Sequence, residues 1–342
     1  MKHLFITAAA LISSLCAFGQ EGSLARLGLE ARVDYMQEYQ AGNKVNDASG
    51  FKGRYLNIRL DGNITDNVSY SYRQRLNKPS KDASFFDATD WMTVSYSIGG
   101  WTFSGGKQVV GIGGFEYDGA PIDLYFCSEY WNNIACYQLG ASVSFGTTSG
   151  NDRWMLQLCE SPFRRNAQNT LNEEMFAWNM MWTGSHGFYS SLYSVNFLEY
   201  LPGRFISYIA LGNRFQFGDF RLDIDFMNRA VSAKDLFGKD FSVMCELKWS
   251  PLDRLDIFAK CTYDRNDSSQ IGDWCVAPGT NITRAGGGIE FYPIRDSRNL
   301  RLHLNCCHTT GSAAGAGVLK DRQTIIDGGL TWKINMLNIK RR

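Results

Sequence analysis

Beyond its first nineteen residues the chain has only three histidines, His186, His303 and His308, and none of its 9 cysteines forms a CxxC pair. That leaves little material for a zinc site or a thioredoxin-like dithiol. Past the N-terminus no run of 18 apolar residues occurs, so no helix spans a membrane. Apolar spacings of three and four, the mark of amphipathic helices, are scarce. Neither sign of charge dominates: 35 basic and 34 acidic residues give a net charge of +1, which does not point to nucleic acid.

The N-terminus reads as a secretory leader. Lys2 precedes an apolar run from Leu4 to Phe18, and Ala17 and Gly19 are small residues at cleavage spacing. We therefore expect residues 1–19 to be removed. Cys16 invites a lipoprotein reading, but Leu15 before it is not the small residue such processing uses. Removal takes away Lys2 alone, so the basic count falls from 35 to 34 and equals the 34 acids.

What recurs along the rest of the chain is alternation. Leu27, Leu29, Ala31, Val33 and Tyr35 interleave with Gly28, Glu30, Arg32 and Asp34. On a strand, successive side chains point to opposite faces, so this segment has one apolar and one charged face. About 16 such segments follow one another, each roughly ten residues long. We place them at 24–37, 52–62, 68–77, 89–98, 101–109, 135–146, 153–160, 175–183, 188–198, 206–217, 219–228, 240–249, 255–264, 282–292, 299–309 and 324–335. Gaps after the even-numbered strands are short and turn-like, such as Gly99–Gly100 and Gly184–Gly187; those after odd-numbered strands are mostly longer. The pattern predicts an all-β fold: a transmembrane antiparallel β-barrel with short periplasmic turns and long outer loops, filling residues 20–342.

The aromatics agree. Tyr96, Trp101, Phe145, Trp154, Trp182, Tyr189, Phe217, Phe220 and Trp249 fall on the outward phase beside the short turns, where a ring would sit at the lipid headgroup level. A soluble β-sandwich has no reason to place tryptophans there.

The longest connection, 107–134, follows the fifth strand. In a wide barrel such a loop can fold inward and narrow the channel; it can also remain a solvated surface loop. It carries Lys107, Glu116, Asp118, Asp123 and Glu129. Basic residues on the inward phase include Arg26, Arg32, Arg59, Arg73, Arg75, Arg214, Arg221, Lys248, Lys260, Arg284 and Arg301; Glu30, Asp34, Asp61, Asp223, Asp225, Glu246, Asp256, Asp264 and Glu290 share that phase. Rings of Arg and Lys favour anions. Arg59, Arg73 and Arg75 are the densest basic group, and an acidic loop with Glu116 and Asp118 facing them would set a transverse field. The plainer alternative is that these charges only hydrate the lumen and pair with one another.

The stretch Gly105-Gly-Lys-Gln-Val-Val-Gly-Ile-Gly-Gly-Phe-Glu-Tyr-Asp118, with Ile122-Asp-Leu-Tyr-Phe-Cys-Ser-Glu-Tyr-Trp131 after it, resembles the phosphate-selective porin O and P family. Motif-level likeness covers about 103–131. The resemblance implies a 16-stranded porin in the outer membrane of a Gram-negative bacterium, a homotrimer, with the third loop folded into the pore. It also implies passive diffusion of small polar or anionic solutes, phosphate among them, with membrane lipid around the barrel and no cofactor. Two features depart from it. The inward phase is of mixed charge rather than an arginine ladder, and the chain ends Asn-Ile-Lys-Arg-Arg342 rather than on an aromatic.

Other constellations are weaker. Asp223 and Asp225 share a face and could hold calcium, but Arg221 beside them favours a salt-linked wall. A Cys127–Cys136 bridge within the long loop is a further option. Gly111–Gly114 lack dinucleotide spacing and read as turn residues. An enzymatic barrel would need a Ser–His pair on the exterior; only His308 lies on that phase, with no nucleophile motif. We expect no catalytic residues and no metal. The stronger rival to a porin is a plugged scaffold barrel, which a 16-strand circumference argues against.

Overall fold

A computed structural model describes residues 23–78, 86–164, 174–268, 275–313, 318–319 and 322–340. The expected leader, 1–19, lies outside the described residues. Sixteen long strands form, and their order in the sheet is their order in the chain. They are β1 (Ser23–Gln40), β2 (Gly50–Asn63), β3 (Val68–Arg75), β4 (Thr89–Ile98), β5 (Trp101–Val109), β6 (Tyr137–Gly146), β7 (Asp152–Glu160) and β8 (Phe176–His186). The second half holds β9 (Tyr189–Leu201), β10 (Arg204–Phe217), β11 (Phe220–Ala230), β12 (Asp240–Leu252), β13 (Leu255–Asn266), β14 (Asn281–Phe291), β15 (Leu300–Ala313) and β16 (Gln323–Lys340). Two strands of two residues, Asn43–Lys44 and Val318–Leu319, extend the ladders of β1 and β15.

Every neighbouring pair is antiparallel, and β1 closes the sheet on β16, from Ser23↔Lys340 to Gln40↔Gln323. Closure pairs the backbone polar groups of both edge strands, which lipid could not satisfy. The expected strand positions hold, with shifts at the ends. The largest is β16, which runs five residues past the expected 335, because Asn338 and Lys340 continue to pair with β1 although they break the apolar pattern.

Alternation decides which way each side chain faces. On β4, Met92, Val94, Tyr96 and Ile98 are exposed on the exterior, while Thr93, Ser95 and Ser97 turn inward and are partly covered. At the end carrying the short turns, exterior aromatics pack against one another around the barrel. Trp101 lies 4.9 Å from Phe145, and Phe220 stacks on Trp249 at 5.7 Å. These rings form an interfacial belt. The exterior also carries the thiols of Cys245 and Cys261, opposed in register on β12 and β13. All eight described cysteines are free, so the Cys127–Cys136 bridge is not made.

Candidate functional site: a loop laid across the lumen

The segment from Val110 to Cys136 does not stay outside. It enters the barrel and crosses it. Its first part is the glycine run. Gly111 N–H donates to Gln157 Oε1 at 2.7 Å, Gly113 N–H to Ser194 Oγ at 2.8 Å, and Gly114 N–H to the Leu192 carbonyl at 3.1 Å. A Cβ on Gly113 would lie 2.6 Å from the Leu192 oxygen, and one on Gly212 would lie 2.8 Å from the Gly114 Cα. These glycines therefore serve close docking of the loop backbone on β7–β10, and not the turn expected of them.

Two short helices follow, α1 (Phe115–Asp118) and α2 (Glu129–Asn133). Each is capped from the barrel wall. Asp225 of β11 accepts the N–H groups of Phe115 and Glu116 at 2.9 and 2.7 Å. Asp264 of β13 accepts the Glu129 N–H at 2.7 Å. Each carboxylate meets unpaired helix N–H groups at the positive end of the peptide dipoles. Between the helices the loop tip reaches the opposite wall. Arg32 of β1 donates to the Leu124 carbonyl at 2.6 Å, and Arg301 of β15 to that of Ile122 at 3.3 Å. Since β9 and β1 are half the circumference apart in a 16-strand sheet, the loop spans the lumen.

Apolar packing holds its outer side. Val110, Ile112, Tyr117, Tyr130 and Ile134 bury against Leu198, Ile206, Tyr208, Ala210 and Met227, and this is the hydrophobic core of the molecule. Full burial of each aliphatic side chain stabilises by about 1.5–3 kcal/mol.

The loop acids meet wall bases. Glu116 pairs with Lys260 at 2.8 Å, Asp123 with Arg301 at 3.1 Å and Lys333 at 2.7 Å, and Glu129 with Arg284. Burial raises the Asp123 carboxyl, but the Lys333 and Arg301 charges outweigh it and hold it below its ordinary value. Burial pushes the Cys127 thiol far up, which keeps it protonated and unreactive. Asp118, at the end of α1, is partly covered.

The expected inner-wall bases from Arg32 to Arg301 face inward, and each of them is paired. Arg59 lies 3.6 Å from Glu30 and 3.3 Å from Asp61. Arg73 and Arg75 share Asp90, at 2.7 and 2.9 Å. Arg214 and Arg221 share Asp223, at 2.5 and 3.2 Å, and Lys248 bridges Glu290 and Asp256 at 2.6 and 3.1 Å. Two expectations are corrected. Glu116 does not face Arg59, Arg73 and Arg75; it faces Lys260 on the far wall. Lys107 is not in the loop: it lies on β5, in the register row of exposed Met92 and Leu139, and its ammonium donates to the Phe86 carbonyl. Of the two carboxylates considered for calcium, Asp223 is salt-linked and Asp225 caps α1.

Sequence reading missed Asp90 and Trp91. A register shift between Arg73 and Gln74 turns both inward, where Trp91 lies under the Arg73 guanidinium at 4.0 Å. It also missed the joining of Asp34, His303 and Asp327, whose ligand atoms lie within 4.8 Å of one another.

A closed barrel with an apolar belt outside, a charged wall inside and a loop in its lumen is the fold of outer-membrane porins. The model of the family of phosphate-selective porins O and P matches residues 26–188, which include the motif stretch read above. Solved structures share the fold. The anion-selective porin from Comamonas acidovorans superposes with a TM-score of 0.62 at 12% identity, covering 91% of this chain and 100% of that one. OmpT of Vibrio cholerae gives 0.60 at 10% identity, covering 91% and 97%. The outer membrane channel DcaP of Acinetobacter baumannii gives 0.59 at 11% identity, covering 91% and 96%. No curated protein matches the sequence.

Proposed function

We propose that the barrel passes small anionic and polar solutes, phosphate among them, past a fixed constriction formed by the loop, and that it assembles as a homotrimer. The carrying observation is which half of the ion pairs of Arg59, Arg75, Arg221 and Lys248 meets the lumen. The Arg59 side chain is 31% exposed while its partners Glu30 and Asp61 are at 10% and 8%. Arg75 is 22% exposed over Asp90 at 4%. Lys248 and Arg221 likewise cover the more deeply buried Glu290 and Asp223. Charges balance in number, but the water-facing layer on these strands is cationic, which favours anions. The trimer reading is supported by one of the similar structures, a trimer form of OmpT.

A planar-bilayer recording with a salt gradient tests this. An anion-side reversal potential that moves toward the cation side in Arg59→Ala/Arg75→Ala supports it; an unchanged potential rejects the role of these arginines. A second reading, a plugged scaffold barrel, is favoured by the burial of most inward charges, from Arg32 and Asp34 to Glu290. Folded protein without conductance steps would favour it.

A further inference from the structure

We propose that Asp34, His303 and Asp327 form a site for a divalent transition-metal cation of the zinc class, at the seam where β1, β16 and β15 lie side by side. His303 and Asp34 sit in one register row, on either side of Gly329. A Cβ on Gly329 would lie 2.5 Å from Asp34 Oδ1, so the glycine leaves the gap into which both side chains lean. Asp327 reaches the same gap from the next inward position of β16. His303 Nε2 is 3.2 Å from Asp34 Oδ1 and 3.4 Å from Asp327 Oδ1.

Those separations fit a coordination edge. With metal–ligand distances of 2.0–2.1 Å, two ligands of a tetrahedral site stand about 3.3 Å apart. The imidazole is also poorly satisfied: its side chain is 0% exposed, Nδ1 has no hydrogen-bond partner, and Nε2 faces the two carboxylates without hydrogen-bond geometry. A buried polar group left so is costly. One nitrogen with two carboxylate oxygens suits zinc-class ions; calcium and magnesium take oxygen alone.

The carboxylates are already oriented. Arg32 Nε lies 3.0 Å from both oxygens of Asp34, and Asn305 Nδ2 donates to Asp327 Oδ1 at 2.7 Å. Such outer contacts fix ligand geometry. Arg32 also competes, since its guanidinium is 3.9 Å from Asp327 Oδ1 and supplies positive charge without a metal. The same arginine holds the Leu124 carbonyl, and the Tyr125 ring lies 4.7 Å from that of His303. Cation binding would thus be felt at the loop tip as well as at the barrel seam.

The test uses the refolded full barrel in detergent, stripped with chelator and titrated with zinc by calorimetry. Cobalt serves as a spectroscopic probe. The proposal expects saturable binding of one zinc per chain, visible cobalt d–d bands that zinc displaces, and a raised unfolding temperature that magnesium does not reproduce. His303→Gln and Asp327→Asn, each checked for folded-barrel gel migration, should each weaken binding at least about tenfold. His186→Gln and His308→Gln should bind as the parent. If either ligand variant fails to fold, the other carries the test. No saturable zinc, or binding that survives His303→Gln, would overturn the site and leave a salt-bridged imidazole in its place.

Discussion

Asp225 caps a helix to which it does not belong. From the wall of β11 its carboxylate accepts the N–H of Glu116 at 2.7 Å and that of Phe115 at 2.9 Å. Gly114, the residue at the N-cap position of that helix, has no side chain to do so.

Removing the wall caps should loosen the loop. Asp225→Ala and Asp264→Ala are each expected to cost about 0.5–2 kcal/mol, as lost caps do. Single-channel recordings should show greater open-channel current noise in each variant and most in the double. Quiet currents in the double variant would mean that the remaining loop contacts, the apolar packing, glycine hydrogen bonds and ion pairs, fix the loop without the caps.

Lys260 and Glu116 are both buried, 2.8 Å apart. Lys260→Met strands a carboxylate and should cost about 3–5 kcal/mol. Adding Glu116→Gln should recover much of that loss, because the stranded charge is gone. Denaturant midpoints of the two singles and the double give the coupling; additive losses would show that the pair is not linked.

The barrel was largely legible in the sequence and the lumen was not, for a physical reason. Met92, Val94, Tyr96 and Ile98 declare an exterior row without reference to any other strand, because side-chain direction follows from period two. The same local rule placed Arg73, Lys260 and Arg301 on the inside. Pairing depends instead on which rows meet across the sheet and on where a loop lands, and neither leaves a local pattern. Glu116 and Lys260 are far apart in sequence, as are Asp34 and His303. The two local errors have visible causes. Asp90 turns inward through an irregular register beside Gln74, and Lys107 occupies an exterior row because a charged strand end can fold its amine back onto a carbonyl.

Acid should free the loop tip. The Asp123 carboxylate is held below its ordinary value of 3.8 by Lys333 and Arg301. Its stabilising contribution is therefore full above the unfolded value and is lost as pH falls through the folded one. Conductance should rise or become noisier only in that acidic range, and Asp123→Asn should show the altered trace at neutral pH. An identical acid response in Asp123→Asn would assign the effect to another group.

Gly113→Ala should lift the loop from β9. The added methyl would meet the Leu192 oxygen at 2.6 Å, a backbone atom that cannot swing away. Overpacking of this kind costs about 1–3 kcal/mol. The expected readout is a larger single-channel conductance together with a lower unfolding temperature. Unchanged conductance would mean that the loop tip alone sets the passage.

The β1–β16 ladder has a consequence for how the molecule is made. It joins residues about three hundred positions apart, from Ser23 with Lys340 to Gln40 with Gln323. Every other wall ladder links strands that are neighbours in the chain and can zip locally. The seam is thus the slow, high-entropy contact of assembly. A chain cut before residue 323 would retain fifteen strands ending in two raw edges, each a template for its own kind. Whatever machinery delivers the barrel to the membrane must therefore shield β1 until β16 arrives.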